Sequence, residues 1–216
     1  MTIRKVLQLL GCSVMLALPV GAGAQEIDTE ARGKNVILLQ DVELTRKQKR
    51  RLGQFQKKVS FYGALAVNLG DLSDDAFGAA WERNSLEAAK DYALRSCRNK
   101  ASDPTQCVLL AAVVPGNKPP APEAQMLSRS AIGGYEDMVK DREFHPDFHY
   151  ALVTAPEGAW VWRESYLSAE AAIAQAMERC EYLVEKAWRG KTKAVQDALR
   201  TPKYDTCSVR VTLSPQ

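Results

Sequence analysis

The two histidines of this 216-residue chain stand close together, in the pattern Asp141-x-Glu143-x-His145-x-Asp147-x-His149. Ligands at every second position would share one face of an extended strand. Imidazoles with carboxylates can hold zinc or copper. Pro146 interrupts the pattern, and the segment reads better as a polar loop entering a strand. Without a third strong ligand, His145 and His149 are weak metal candidates, and no cofactor is expected. Glu82 and Glu164 lie beside candidate strands, but two carboxylates alone do not define a glycosidase. Trp81, Trp160, Trp162 and Trp188 could line a groove, or pack a core as such residues commonly do. The G-x-S-x-G, Walker and H-E-x-x-H signatures are absent, so a non-enzymatic chain is expected.

The clearest electrostatic feature is a basic run: Arg46, Lys47, Lys49, Arg50, Arg51, Lys57 and Lys58, with no acid among them. Leaving out Arg4 and Lys5 reduces 29 basic residues to 27, against 26 acids. The seven of the run leave 20 for the rest, a net charge of −6. Thr45-x-x-Gln48 is a capping box, so a helix starts there. Leu52, Phe55 and Val59 fall on one face of it. Such a helix can meet an acidic partner or anionic lipid, or dock its apolar face on the body of the protein. Nucleic acid is a poor fit, because no aromatics interleave with the charges.

The elements that position these residues come from a repeat. Shifted by 83 residues, Ser85, Glu87, Ala88-Ala89, Ala93 and Cys97 fall on Ser168, Glu170, Ala171-Ala172, Ala176 and Cys180. Serine at the start and glutamate in the first turn suit a helix N-terminus, and the alanines favour helix and close packing. Two candidate strands precede each helix: residues 62–67 and 76–81, then 149–154 and 159–162. A strand with a cysteine near its start follows each helix, over 107–113 and 207–213. The fold class expected is α+β, as two tandem ββαβ units paired into one sheet with helices on one face. The repeat selects Cys97–Cys107 and Cys180–Cys207 from the three possible pairings. By loop entropy these closures contribute up to about 3 and 3.5 kcal/mol.

The strand Tyr62-Gly63-Ala64-Leu65-Ala66, the Phe77-Gly78 strand, the Ser-x-Glu-Ala-Ala helix and the helix-end cysteine resemble a family of small secreted bacterial domains, domain of unknown function four-one-eight-nine. The resemblance covers residues 61–114 and, more loosely, 149–213. It implies secretion and a compact α+β fold, and carries no catalytic residues. The second unit departs from the pattern, with Val161 at the place of Gly78.

Arg4 and Lys5, an apolar run from Val6 to Val20, and small residues through Ala24 read as a signal peptide cleaved after Ala24. Leu9-Leu10-Gly11-Cys12 resembles a lipoprotein box, behind an apolar stretch shorter than such boxes use. No segment is long enough for a comfortable membrane span. Four cysteines remain after cleavage, an even count that fits disulfides in the periplasm or outside the cell. The expected order is signal peptide 1–24, lead-in with basic helix 25–60, first unit 61–115, Pro-rich linker and connector 116–146, and second unit 147–216. The insert 181–206 lengthens the second cysteine loop. The expected partner is another envelope macromolecule, or an anionic polymer or lipid met by the basic helix.

Overall fold

The computed structural model describes residues 32–70, 76–117 and 125–216, with Ile27 and Pro122 besides. The expected signal peptide and the lipoprotein box lie outside the described residues. Three antiparallel strands form the first repeat's sheet: β2 (Gly63–Asn68) in the centre, β3 (Phe77–Ala80) on one side and β4 (Cys107–Val114) on the other. A short strand, β1 (Asn35–Leu38), adds to the outer edge of β4. The second repeat builds the same order, with β5 (His149–Thr154) between β6 (Trp160–Ser165) and β7 (Ser208–Leu213). Both central strands shift register at the same place, after Leu65 and after Leu152. The duplication therefore extends to the irregularity of the ladder.

Helix α2 (Leu86–Arg98) is set by its ends and its small residues. The Ser85 hydroxyl accepts from the Ala88 N–H at 3.1 Å, a cap that contributes about 1 kcal/mol. Ala89, Ala93 and Cys97 are wholly buried against Ala64, Ala66 and Ala80. Alanine on both sides lets the helix lie close on the sheet. Helix α4 (Ala169–Trp188) repeats this on the second sheet, capped by Ser168 and seated on Ala151 and Val153. The bonds Cys97–Cys107 and Cys180–Cys207 tie each helix to the strand that follows it.

The other face of each sheet is covered as well. Helix α1 (Arg46–Lys58) packs Phe55 on Leu65, Val67, Leu110 and Val113. Helix α3 (Arg129–Phe144) packs Ala131, Ile132 and Met138 on Tyr150 and Leu152. These helices are themselves repeats: their caps, Thr45 and Ser128, stand 83 residues apart, as do the buried pairs Gln48 and Ala131, and Phe55 and Met138. The duplicated unit is thus αββαβ. Helices lie on both faces of each sheet, not on one face as expected, and the connector 116–146 holds α3.

The strands form two sheets, not the single sheet expected. The reason is that β1 takes the edge of β4, and α3 fills the space through which the units meet. Phe61, Tyr62 and Val114 of the first unit share one core cluster with Ile132, Tyr150 and Leu152 of the second. The insert 181–206 is no free loop. It lengthens α4 and then forms α5 (Lys193–Leu199) and α6 (Pro202–Asp205). The Thr201 hydroxyl then donates to Asp91 of α2 at 3.0 Å, across the unit boundary.

Candidate functional site

The basic helix is not a loose arm. The predicted capping box is formed: the Gln48 N–H donates to the Thr45 hydroxyl at 3.2 Å, and the Thr45 N–H donates to the Gln48 side chain at 2.9 Å. The Gln48 amide also donates to the Asn68 carbonyl at 2.7 Å, pinning the helix to β2. Phe55 and Val59 are buried, and Leu52 packs beside them. The apolar face is therefore spent on the protein's own sheet. Arg46, Lys47, Lys49, Arg50, Lys57 and Lys58 stay exposed, and none of them forms an ion pair among the described residues.

Arg51, the seventh of the run, turns inward. Its guanidinium lies 4.2 Å from the centre of the Phe77 ring. Lys100 reaches the same ring at 5.0 Å and donates to the Phe77 carbonyl at 3.0 Å. Burial, with Arg51 nearby, holds the Lys100 ammonium below its ordinary range. Two cations thus share one aromatic ring, each drawn to it by the ring quadrupole while repelling the other. Beside them a groove of about 370 Å³ runs between α1 and β3. Phe77, Ala79 and Trp81 line its floor at alternate positions, with Arg51, Gln54 and Lys58 along the helix side. Trp81 is 55% exposed.

A second concavity, of about 510 Å³, lies at the junction of the units, walled by Tyr92, Trp160, Leu183 and Trp188. At it Arg83 pairs with Glu157 at 2.7 Å and also donates to the Glu157 carbonyl. Burial outweighs the guanidinium and pushes the Glu157 carboxyl up to about 7. Next to this pair Asn84, fully buried, donates to the Ala155 and Ala159 carbonyls at 2.9 and 3.0 Å and accepts from the Ser128 N–H at 2.9 Å. Glu82 takes a left-handed backbone (φ 54°) and meets Gly158 (φ 113°), where a Cβ would come within 2.5 Å of the Glu82 carbonyl oxygen. The segment 82–84 therefore grips the β5–β6 turn. These groups are committed to holding the units together.

The remaining candidates are dispersed. Asp141 and Glu143 belong to α3, because the helix runs on to Phe144 before Pro146 ends it. The alternating face predicted for an extended segment therefore does not form. Asp141 accepts from the Tyr150 hydroxyl at 2.9 Å, and His145 stacks on Phe148. No group of three or more metal-ligating side chains forms among the described residues. Trp160 donates to Ser130 and Trp162 packs on Tyr150, so both serve the interface under α3. Trp188 is buried. Trp81 alone of the tryptophans is exposed at a groove. Glu82 and Glu164 sit in different units, at the junction and on β6. Comparison with protein-family models, with curated proteins and with solved structures finds no match for this chain. The reading of the site therefore rests on its own chemistry.

Proposed function

We propose that this is an exported, non-enzymatic envelope protein that acts by binding an acidic macromolecule through the α1 side of its first unit. The observation that carries the reading is the docking of α1. A helix whose apolar residues are buried at home, and whose six exposed cations have no acid partners among the described residues, presents charge without an apolar face. Such a surface steers and holds an anionic partner. The stapled, two-faced sheets supply a rigid platform for it. Export rests on the signal-like N-terminus, and the two disulfides fit an oxidising compartment. No helix among the described residues is long and apolar enough to cross a membrane. The resemblance to the secreted domain family points the same way.

The docking also separates two modes of contact with a membrane surface. Insertion of Leu52, Phe55 and Val59 into lipid would require α1 to leave its sheet. Adhesion to anionic headgroups would therefore be electrostatic alone, and weakens within a Debye length of about 8 Å at physiological salt.

The test is affinity capture from an envelope extract, with immobilised polyglutamate as a reference ligand. Wild type is compared with the triple variant Lys47→Glu, Arg50→Glu, Lys57→Glu. The proposal expects one discrete acidic protein and the polyglutamate retained by wild type, and both lost in the variant. Equal retention by the two proteins would refute it.

A further inference from the structure

The repeat sets an exposed segment beside a buried counterpart. Residues 82–84 lead from β3 to Ser85, the cap of α2. Residues 165–167, 83 positions on, lead from the end of β6 to Ser168, the cap of α4. The first copy of this segment is where the units meet: the Asn84 N–H donates to the Pro156 carbonyl at 3.1 Å, and Arg83 pairs with Glu157. The second copy grips no such turn among the described residues. Its Leu167 N–H turns back to the Ser165 hydroxyl at 3.1 Å. At the places of Arg83 and Asn84 it carries Tyr166 and Leu167, which are 72% and 69% exposed.

These two residues belong to a larger apolar surface. The Tyr166 ring lies 6.3 Å from that of Phe148, which stacks on His145 at 5.4 Å. Phe144, the last residue of α3, precedes His145 and is 70% exposed. From the area that large aromatic side chains present, these residues together leave on the order of 400 Å² of apolar surface in water. A patch of that size on a single chain is often functional. A terminal repeat needs a polar outer face to stay in solution alone. Here the order is reversed: the copy between the units carries Arg83 and Asn84, and the uncovered copy carries Tyr166 and Leu167.

What covers the first copy is a neighbouring unit of the same fold, and a second chain supplies such a neighbour for the second copy. The counterpart of the gripped turn, the β2–β3 connection, carries Asp71, Asp74 and Asp75. Tyrosine and leucine offer three carboxylates little in exchange for water. The patch, in contrast, is apolar and complements its own copy. We propose that the protein forms a homodimer about a two-fold axis, with Tyr166 and Leu167 of each chain, flanked by Phe144 and Phe148, packed against the same residues of the other. Such isologous contacts are the commonest in homo-oligomers. A stable dimer buries about 800 Å² on each partner, so the patch is the centre of the contact. The exposed neighbours Glu143 and Asp147 fall at its rim, where charge stays in water. The inference is independent of α1, which shares no residue with this surface.

The test is sedimentation velocity of full-length mature protein over a wide range of concentration. Wild type should pass from one chain to two and go no further. The double variant Tyr166→Arg, Leu167→Asn, which places the first unit's residues in the second, should dimerise at least tenfold more weakly, because a few large anchors carry most of such a contact. Phe144→Glu is a second route to the same loss. All three side chains are exposed, and circular dichroism checks that each variant is folded. The triple variant Lys47→Glu, Arg50→Glu, Lys57→Glu should dimerise as wild type does. The dimer should also persist in ~1 M salt, where the Debye length is about 3 Å. A wild type that stays a single chain at every concentration would overturn the proposal, even if it retained another envelope protein through Tyr166 and Leu167. Growth past two chains would overturn it too, as the mark of a head-to-tail contact. So would undiminished dimerisation of the Tyr166→Arg, Leu167→Asn and Phe144→Glu variants, or loss of the dimer in high salt or in the α1 variant.

Discussion

At the residue scale, two positions show how one atom or one proton is held by its surroundings. Gly134 exists for closeness: a methyl group there would collide with the six-membered ring of Trp160. Gly134→Ala should destabilise the protein by about 1–3 kcal/mol, the usual effect of overpacking, seen as an earlier midpoint in urea. Glu157 shows the balance of burial and pairing. Its carboxyl titrates near 7 in the folded protein, above the ordinary 4.5, chiefly through burial, and Asp205 and Asp91 reinforce the rise that Arg83 opposes. Between those values the folded state keeps a proton that the unfolded state releases. Stability from this group is therefore full below about pH 4.5 and falls as pH rises toward 7, by no more than about 3 kcal/mol. The stability difference between wild type and Glu157→Gln, measured from pH 4 to 8, should change across that window and level off above it. A difference that stays flat would show that Arg83 compensates the buried charge.

At the scale of elements, the disulfides close short paths between a helix end and its neighbouring strand. Replacing Cys180 and Cys207 by serine should cost about 2–5 kcal/mol, read by thermal unfolding against the same change at Cys97 and Cys107. The strands, the alanine-rich helices and both cysteine pairs were legible in the sequence, because alternation, serine caps and the repeat each carry a local physical signal. The leading helices were harder. α1 was visible as a helix from Thr45 and Gln48, but its counterpart α3 follows a Pro-rich stretch and carries Gly133 and Gly134 in its middle. The offset of 83 between Thr45 and Ser128 was the signal that would have paired them. Among the described residues β1 has no counterpart in the second repeat, so a search for repeats passes over it. Which strand edges pair is a matter of three-dimensional packing, and the two-sheet arrangement could not be read from alternation. Among the site residues, the basic run was evident, but the inward turn of Arg51 and the role of Lys100 depend on where Phe77 projects.

At the scale of the molecule, the two units are fastened by the shared cluster under α3 and by buried polar contacts at the junction. Asn84 supplies three of them from a fully buried position. Asn84→Ala would take the acceptor from the Ser128 N–H and one of two donors from each of the Ala155 and Ala159 carbonyls, which still accept from the Gly158 and Ala155 N–H groups. A loss of roughly 1–3 kcal/mol is expected, the usual cost of one buried unpaired group. Calorimetry should then resolve two transitions, against the single one expected of wild type. A single transition, lowered in temperature, would mean that the shared cluster under α3 couples the units without Asn84.

Each disulfide joins cysteines that are consecutive in the chain, Cys97 with Cys107 and Cys180 with Cys207. For a chain threaded N-terminus first into an oxidising compartment, this order acts as a form of proofreading. Of the four described cysteines, Cys107 is the first thiol that Cys97 can meet, and their bond can close before Cys180 has emerged. The last pair then has no wrong thiol left to choose. Correct oxidation becomes a matter of timing, and shuffling enzymes have little to repair.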